Sequence, residues 1–266
     1  MERKEDTAER AAFAIQEIIE LVKSVRPFVQ NRESAGHIKV KGPADYVTQV
    51  DTDIQNFLSR ELGRLAPEIQ FLGEEEGLHE MSGDTYWILD PIDGTTNLIH
   101  DYQHSVVSLA LYDKGEITLG VIYDPFREDV YYAQKGQGSF LNGSPIHVSC
   151  AETLSETIVT IGTSPYDREL TEINFRRFQR VFEKSQDIRR TGSAALDLAY
   201  LACGRTGGFF ETPLSPWDFA AGMLLVKEAG GKVTDYAGEP LNLLQRGSVV
   251  ATNGKVHEEL RRLING

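Results

Sequence analysis

The chain has 266 residues, of which 41% are hydrophobic and 25% are charged, a composition that fits a globular protein and excludes disordered, collagenous and coiled-coil chains. The 40 acidic residues outnumber the 27 lysines and arginines and give a net charge of −13, so no basic excess exists to bind nucleic acid or an anionic membrane. With no apolar run of about 18 residues and no signal-peptide pattern, we expect a soluble, cytoplasmic protein.

Residues 1–150 are predicted to combine helices with a mainly antiparallel sheet. Apolar residues recur at helical spacing over residues 7–30, and again from Asp51 to Leu65. Glycine, proline and polar residues interrupt the pattern at 34–45. Short apolar runs then predict strands over residues 69–72, 86–89, 106–112, 117–123 and 130–133, with a hairpin turn at 113–115.

Residues 151–266 alternate strands with helices, a pattern typical of layered α/β structure. The predicted strands cover residues 157–161, 187–189, 208–211, 232–234 and 248–251. The predicted helices cover residues 168–184, 194–203 and 219–228, and a last helix begins at 255. The sequence therefore indicates a mixed α+β and α/β protein, in which two sheet-centred halves covered by helices form a single unit over residues 1–266.

Three acidic clusters lie where a predicted strand ends or a predicted helix begins. They are Glu74–Glu76 after strand 69–72, Asp90 and Asp93 after strand 86–89, and Asp218 before helix 219–228. Charged groups at strand ends line the crevices in which α/β sheets bind ligands. Taken alone, each cluster is also explained as a solvated acidic turn, a surface turn or a helix cap. Their coincidence favours one shared binding site.

The segment from Asp90 to Asp93 is suited to hold a hard cation. Pro91 fixes its own backbone torsion, so the turn can direct both carboxylates and the Ile92 carbonyl toward one point. Oxygen ligands of this kind suit Mg²⁺, which keeps several waters and shares its coordination shell with substrate phosphate.

The next residues, Gly94, Thr95 and Thr96, are suited to hold a phosphate. Glycine permits close backbone approach, and backbone N–H groups at a helix start form an anion site. Asp51 has two explanations that the residues leave open. Either it caps the helix that follows it, or its carboxylate orients the Thr95 hydroxyl to accept a proton from a metal-bound water.

Taken together, these motifs resemble those of the inositol monophosphatase family of Mg²⁺-dependent, lithium-sensitive phosphatases. They occur in the order found in that family, and with the helices between them they span nearly the whole chain. The matching segments are Asp45–Thr48 with Asp51, Gly73–Glu75, Asp90–Asn97, Trp217–Gly222 and Glu228–Gly231.

The resemblance implies the layered αβαβα sandwich of the inositol monophosphatase and fructose-1,6-bisphosphatase type, in a homodimer. It also implies two to three Mg²⁺ ions in each active site. The first would be held by Glu74, Asp90 and the Ile92 carbonyl, the second by Asp90, Asp93 and Asp218, and a third by Glu74 with Glu75 nearby.

The resemblance further implies how the reaction proceeds. The N–H groups of Gly94 and Thr95 would bind the phosphate, and metal-activated water would attack the phosphorus in line. Asp51 and Thr95 would help to activate that water, with Glu74 as the third member of the catalytic set. No phosphorylated enzyme is needed in this scheme.

Substrate choice is assigned by the resemblance to two further segments. Gly192, Ser193 and Ala194 align with a stretch along the substrate hydroxyls, and Glu211 aligns with a glutamate that accepts hydroxyl hydrogen bonds. A buried carboxylate of this kind discriminates well, because an unpaired polar group is costly. We therefore expect inositol 1-phosphate or a related sugar or polyol phosphate as substrate. No role is assigned to Lys41, His100 or His104.

Alternatives of two kinds stay open. Within the superfamily they are fructose-1,6-bisphosphatase and 3′(2′),5′-bisphosphate nucleotidase activity. From another class they are a regulatory binding protein that retains the fold, for example a partner of the transcription machinery, and a structural Mg²⁺- or Ca²⁺-binding domain. The presence of every expected ligand together with Asp51 and Thr95 favours catalysis.

Overall fold

The computed structural model describes residues 15–42, 45–77 and 83–266. The helices are α1 (15–23), α2 (Arg26–Val29), α3 (Arg32–Gly36), α4 (Gln49–Leu65), α5 (Thr95–Ile99), α6 (Thr171–Phe182), α7 (Ala194–Ala202), α8 (Pro216–Glu228) and α9 (His257–Asn265). The first strands are β1 (Ile38–Gly42), β2 (Asp45–Thr48), β3 (Gln70–Gly73), β4 (Thr85–Asp93), β5 (Val106–Asp113), β6 (Glu116–Asp124) and β7 (Asp129–Gln134). The remaining strands are β8 (Ser139–Leu141), β9 (Ser144–Ile146), β10 (Ile158–Ile161), β11 (Asp187–Arg189), β12 (Gly208–Leu214), β13 (Lys232–Thr234) and β14 (Gly247–Thr252).

The strands form two main sheets and one short hairpin. The larger sheet has seven strands in the order β3-β4-β5-β6-β7-β8-β9, and all its pairs are antiparallel except β3 with β4. The smaller sheet has five strands in the order β11-β10-β12-β14-β13, and β10 runs parallel to both of its neighbours. Strands β1 and β2 pair only with each other.

Helices α7 and α8 lie between the two sheets. One apolar cluster joins Ile88 of β4, Leu198 of α7, Leu225 of α8 and Phe209 of β12, and therefore contains residues of both sheets. Because α8 is covered by a sheet on each side, nearly all of its residues are buried. A helix in such a central position needs apolar side chains on all of its faces.

The outer faces of the sheets are covered by the other long helices. Ile54 and Leu58 of α4 pack with α1 against Trp87 of the larger sheet. Phe178 of α6 and Leu260 of α9 belong to the cluster that covers the smaller sheet. The resulting order of layers, α-β-α-β-α, confirms the predicted fold class. Within the described ranges, no helix combines the length and the apolar character needed to cross a bilayer.

Several element boundaries differ from the sequence-based prediction. Part of the helix predicted over 7–30 lies outside the described residues. From residue 15 onward the structure has two helices, α1 and α2, and Pro27 lies near the start of α2 where they divide. The interrupted stretch at 34–45 contains α3 and the β1–β2 pair, whose strand Ile38–Gly42 has largely exposed side chains and therefore lacks an apolar pattern. Helix α8 begins at Pro216 rather than at 219, because Ser215 caps it.

Candidate active site

The predicted metal ligands and phosphate-binding residues line one cavity of about 540 Å³ at the ends of several elements. Strands β3 and β4 run parallel, so the acidic segments that follow β3 and end β4 lie side by side. Helices α5 and α8 contribute their first residues to the same cavity. Its acidic lining consists of Glu74, Asp90, Asp93 and Asp218, and its backbone lining includes Ile92, Gly94 and Thr95.

A local irregularity in β4 directs both Asp90 and Asp93 into this cavity. In a regular strand, residues three apart project to opposite faces. Here the pairing of β4 with β5 shifts between the two aspartates, and the Ile92 N–H donates a hydrogen bond to Asp90 Oδ1 at 2.9 Å. Proline has no backbone N–H, so the shift in strand pairing leaves no unpaired hydrogen-bond donor at Pro91. The acidic motif is thus the end of the strand rather than a turn after it.

Asp93 is held by the first turn of α7. Its Oδ2 accepts hydrogen bonds from Ser193 Oγ at 2.7 Å and from the Ala195 N–H at 2.6 Å. Burial raises the pKa of Asp93 to about 6, although these hydrogen bonds lower it. Gly192, Ser193 and Ala194 were predicted to contact substrate. The structure places Ser193 against Asp93 and buries Ala194, while Gly192 lines the cavity, so substrate contact stays a prediction.

Asp218 is the third residue of α8, where it forms a capping box with Ser215. The Ser215 N–H donates to Asp218 Oδ2 at 2.7 Å. The helix-cap explanation is therefore correct, and the same carboxylate also lines the cavity. Burial and the nearby charges of Asp93 and Glu74 hold the pKa of Asp218 well above its usual range.

Glu74 and Asp90 lie in contact on the other side of the cavity. Burial raises the pKa of Glu74 to about 7, while the ammonium group of Lys41 lowers it. Lys41 Nζ lies 3.6 Å from Glu74 Oε1 and 2.8 Å from Glu75 Oε1, which places two residues of undecided role at the cluster. Burial, and then the charges of Glu74, Asp93 and Asp218, hold the pKa of Asp90 well above its usual range.

This set of donors fits a hard divalent cation. Burial raises the pKa of all four carboxyl groups, and the charges of neighbouring carboxylates raise the pKa of Asp90 and Asp218 further, so the protein compensates these negative charges incompletely. In the parts of the chain that the structure describes, no three acidic, histidine or cysteine side chains are arranged as a preformed metal site, so the proposed ligand sets would form on binding. Mg²⁺ uses few protein carboxylates and completes its octahedral shell with water and phosphate oxygens, so a sparse all-oxygen set suits it.

Asp51 and Thr95 form the predicted pair. Thr95 Oγ1 lies 2.9 Å from Asp51 Oδ1 and 3.1 Å from the Ile92 carbonyl oxygen. Asp51 Oδ2 accepts hydrogen bonds from the N–H and the hydroxyl of Thr48, the cap of α4. Asp51 therefore contributes to the cap of α4 and also accepts a hydrogen bond from the Thr95 hydroxyl, while the activation of water stays a prediction. Burial raises the pKa of Asp51, and the hydrogen bonds from Thr48 and Thr95 oppose that effect.

Gly94 is required by the backbone that connects β4 to α5. Its φ of +96° lies in the left-handed region, and an added Cβ would come within 3.1 Å of the carbonyl oxygens of Gly192 and His104. His100 lines the cavity, whereas His104 is half-buried outside its lining, and burial lowers the pKa of His104. The predicted role of the Gly94 and Thr95 N–H groups in holding phosphate stays a prediction.

A smaller cavity of about 40 Å³, which we call the inner cavity, continues the site toward the smaller sheet. Glu211 lies there with 8% of its surface exposed, and its Oε1 is 3.4 Å from the Ser164 N–H. Burial raises the pKa of Glu211 to about 7, while the charge of Arg190 lowers it. Gly162 makes room for this carboxylate, because an added Cβ would lie only 1.7 Å from Glu211 Cδ.

The sequence-based analysis missed several residues that line one or both cavities. Among them are Gly162, Tyr166, Arg168, Arg190 and Asp197. Arg190 directly follows strand β11 and precedes the Gly192 segment, so its place at a strand end was a usable signal. Gly162 follows β10 in the same way, but its function depends on a packing contact with Glu211 that no local pattern reveals.

Comparison with known proteins identifies the family. A profile of the inositol monophosphatase family matches residues 2–265. The chain is 40% identical over 230 residues to an inositol-1-monophosphatase of Rhizobium meliloti (strain 1021), covering 85% of each chain. It is 42% identical over 217 residues to the Nus factor SuhB of Escherichia coli (strain K12), covering 81% of each. A solved IMPase structure from Thermotoga maritima matches with a TM-score of 0.84 and 33% identity over 97% of each chain. The chain therefore belongs to the inositol monophosphatase family.

Proposed function

We propose that the protein is a Mg²⁺-dependent phosphomonoesterase that hydrolyses inositol 1-phosphate or a related sugar or polyol phosphate. Membership of the inositol monophosphatase family supports a phosphatase activity. The observation that carries the proposal is the convergence of four carboxylates on one cavity, beside the hydrogen-bonded pair of Asp51 and Thr95.

The metal ligands are proposed as the sequence predicts them. Glu74, Asp90 and the Ile92 carbonyl would hold one ion, Asp90, Asp93 and Asp218 a second, and Glu74 with Glu75 nearby a third. Bound there, Mg²⁺ would supply the positive charge that attracts a phosphate ester and makes a water more acidic. The N–H groups of Gly94 and Thr95, at the wall of the same cavity, would face the phosphate oxygens.

Asp51 and Thr95 are proposed to take up the proton of the attacking water. Asp51 Oδ2 is engaged by Thr48, so Oδ1, which faces the Thr95 hydroxyl, is the atom that would receive a proton. The hydroxyl has one hydrogen and two acceptors within reach, Asp51 Oδ1 and the Ile92 carbonyl. It can therefore accept from water while it donates to Asp51.

The surroundings of Glu211 support the proposal that the alcohol part of the substrate carries several hydroxyl groups. The hydrogen bond from Ser164 is long, at 3.4 Å, so this buried carboxylate keeps most of its capacity to accept hydroxyl hydrogens. Relatives that carry the name inositol-1-monophosphatase add support for a polyol phosphate. We further propose that residues 1–266 act as one unit, in a homodimer and in the cytoplasm. The apolar cluster shared by both sheets supports the single unit.

The proposal is tested by phosphate release with Mg²⁺ and with EDTA. The panel holds inositol 1-phosphate, fructose 1,6-bisphosphate, adenosine bisphosphate, glycerol 2-phosphate and 4-nitrophenyl phosphate. We expect EDTA-sensitive release led by inositol 1-phosphate, and a loss of at least about 100-fold in kcat for Asp93→Asn. Asp124→Asn is the control, because Asp124 is also buried but is hydrogen-bonded by Phe126 and Arg127 and does not line the cavity. Unchanged kcat in Asp93→Asn at saturating Mg²⁺ would contradict the ligand assignment.

A second candidate function is a regulatory binding role. The observation that favours it is the 42% identity to a protein named Nus factor SuhB. The same panel separates the candidates. Metal-dependent release led by another ester would keep the phosphatase and reject inositol phosphate as the preferred substrate, whereas no release from any ester would favour the binding role.

A further inference from the structure

The inner cavity contains an acidic residue that the proposed reaction does not use. Asp197 on α7 is 2% exposed and lines this cavity together with Glu211 and Arg190. Its Oδ1 is buried and has no hydrogen-bond partner among the residues that the structure describes. An unpaired buried polar atom costs about 1–3 kcal/mol, so such an oxygen in a native protein requires an explanation.

The inner cavity is continuous with the site of the proposed phosphatase reaction. Both cavities are lined by Asp93, Tyr166, Arg190, Gly192 and Asp218. A group attached to a substrate in the larger cavity therefore has a direct route to Asp197. At about 40 Å³ the inner cavity has room for one small polar group.

The charges of the inner cavity decide what kind of group it accepts. Two carboxyl groups, from Asp197 and Glu211, exclude a second phosphate or another anion. A hydroxyl group has one hydrogen to donate and lone pairs to accept, which matches a lining that contains both carboxylate oxygens and the Arg190 guanidinium. A neutral, hydroxyl-bearing alcohol is therefore the complementary ligand.

We propose that the inner cavity receives a hydroxyl of the substrate's alcohol part, and that Asp197 Oδ1 accepts its hydrogen, which makes Asp197 a specificity-determining residue. This inference rests on the proposed phosphatase function. The hydroxyl satisfies an oxygen that is unpaired in the free protein, so its binding free energy is available only to esters that carry the hydroxyl. Asp197 then selects polyol phosphates over esters of plain alcohols.

The test compares two esters on the Mg²⁺-loaded enzyme. Inositol 1-phosphate carries ring hydroxyls, and 4-nitrophenyl phosphate carries none on its alcohol part. For Asp197→Ala we expect kcat/KM to fall roughly 10-fold or more for inositol 1-phosphate, mainly through KM, and by less than about 3-fold for 4-nitrophenyl phosphate. Asp197→Asn keeps an acceptor oxygen at the same place and should recover most of the loss. Asp124→Asn should leave the ratio of the two esters unchanged.

The melting temperature separates this role from a structural one. Asp197 also accepts a hydrogen bond from the Thr191 side chain. Asp197→Asn keeps an acceptor for that bond, so it should leave the Tm unchanged or higher. Equal losses for both esters, or a lower Tm with an unchanged ester ratio, would overturn the inference and identify a structural residue or a water site. Failure of the wild-type enzyme to hydrolyse any ester would overturn the proposed function and this inference with it.

Discussion

Replacement of Gly162 by alanine provides a direct test of the Glu211 pocket. An alanine Cβ would lie 1.7 Å from Glu211 Cδ, 1.8 Å from Oε2 and 2.1 Å from Oε1, far inside any permitted contact. The φ of Gly162 is not in the left-handed region, so the backbone accepts alanine and the carboxylate has to move away. The substitution therefore displaces Glu211 from its position in the inner cavity without changing Glu211 itself.

The expected loss follows from the hydrogen bond that Glu211 would make. A hydrogen bond to a charged group contributes about 1.5–3 kcal/mol, so kcat/KM for inositol 1-phosphate should fall roughly 10- to 150-fold. The fold should tolerate the change, because burial raises the pKa of Glu211 from 4.5 to about 7. At pH 8 this shift corresponds to a destabilisation of about 3 kcal/mol, part of which is recovered when the carboxylate moves into solvent.

A double-mutant cycle with Glu211→Ala completes the test. With the carboxylate absent, the extra methyl at position 162 has room, so the double variant should match Glu211→Ala alone. Steady-state kinetics with inositol 1-phosphate and with 4-nitrophenyl phosphate, together with thermal melting, provide the measurements. Additive losses from the two substitutions, or equal losses for both esters, would refute the assigned contact between Gly162 and Glu211.

Three further predictions concern the metal cluster, the proton acceptor and a buried histidine. Asp90→Asn removes a charge that neighbouring carboxylates repel, so it should abolish turnover yet stabilise the metal-free protein. In urea titrations with EDTA at pH 8, the free energy of unfolding should rise by about 1–3 kcal/mol. A lower free energy of unfolding would contradict the repulsion. Thr95→Val should lower kcat about 10²- to 10⁴-fold while Thr95→Ser keeps most activity, and equal rates would exclude the hydroxyl. Burial lowers the pKa of His257 to about 4 from 6.5, so its neutral form stabilises the fold above pH 6.5 and that contribution is lost as the pH falls toward 4. When the pH is lowered from 7 to 5, the free energy of unfolding of the wild type should fall by about 2 kcal/mol more than that of His257→Gln, as measured by urea unfolding. Parallel pH dependences of the two proteins would refute this.

The acidic motif of β4 was predictable because its information is local. Asp90, Pro91 and Asp93 carry in four consecutive positions the donors and the backbone restraint that the site uses. What the sequence did not show is that these residues belong to the strand, since the shift in pairing with β5 is a property of two strands together. Ser215 and Pro216 also carried a readable signal, a cap followed by a first-turn proline, that places the start of α8 three residues earlier.

The residues that were missed depend on contacts between distant segments. Gly162 matters because of Glu211, and Arg190 because the inner cavity is open beside it. The β1–β2 pair was missed because Ile38 and Val40 are 45% and 65% exposed, so no buried face imposes an alternating pattern. The role of Ser193 was incompletely predicted for a related reason: its bond to Asp93 joins residues 100 apart in sequence.

That bond between α7 and β4 has a consequence for how the protein folds. The cluster of carboxylates exists only after the two sheets have closed over α7 and α8, because the chain brings Asp93 and Asp218 together through this docking. We expect contacts of such long sequence separation to form late, because loop-closure entropy is lost before they stabilise the fold. Magnesium would then bind the finished protein but not the transition state, so it should slow unfolding and leave the refolding rate unchanged. The bound metal would therefore stabilise the closed sandwich kinetically, and the lifetime of the native state would increase with the concentration of Mg²⁺.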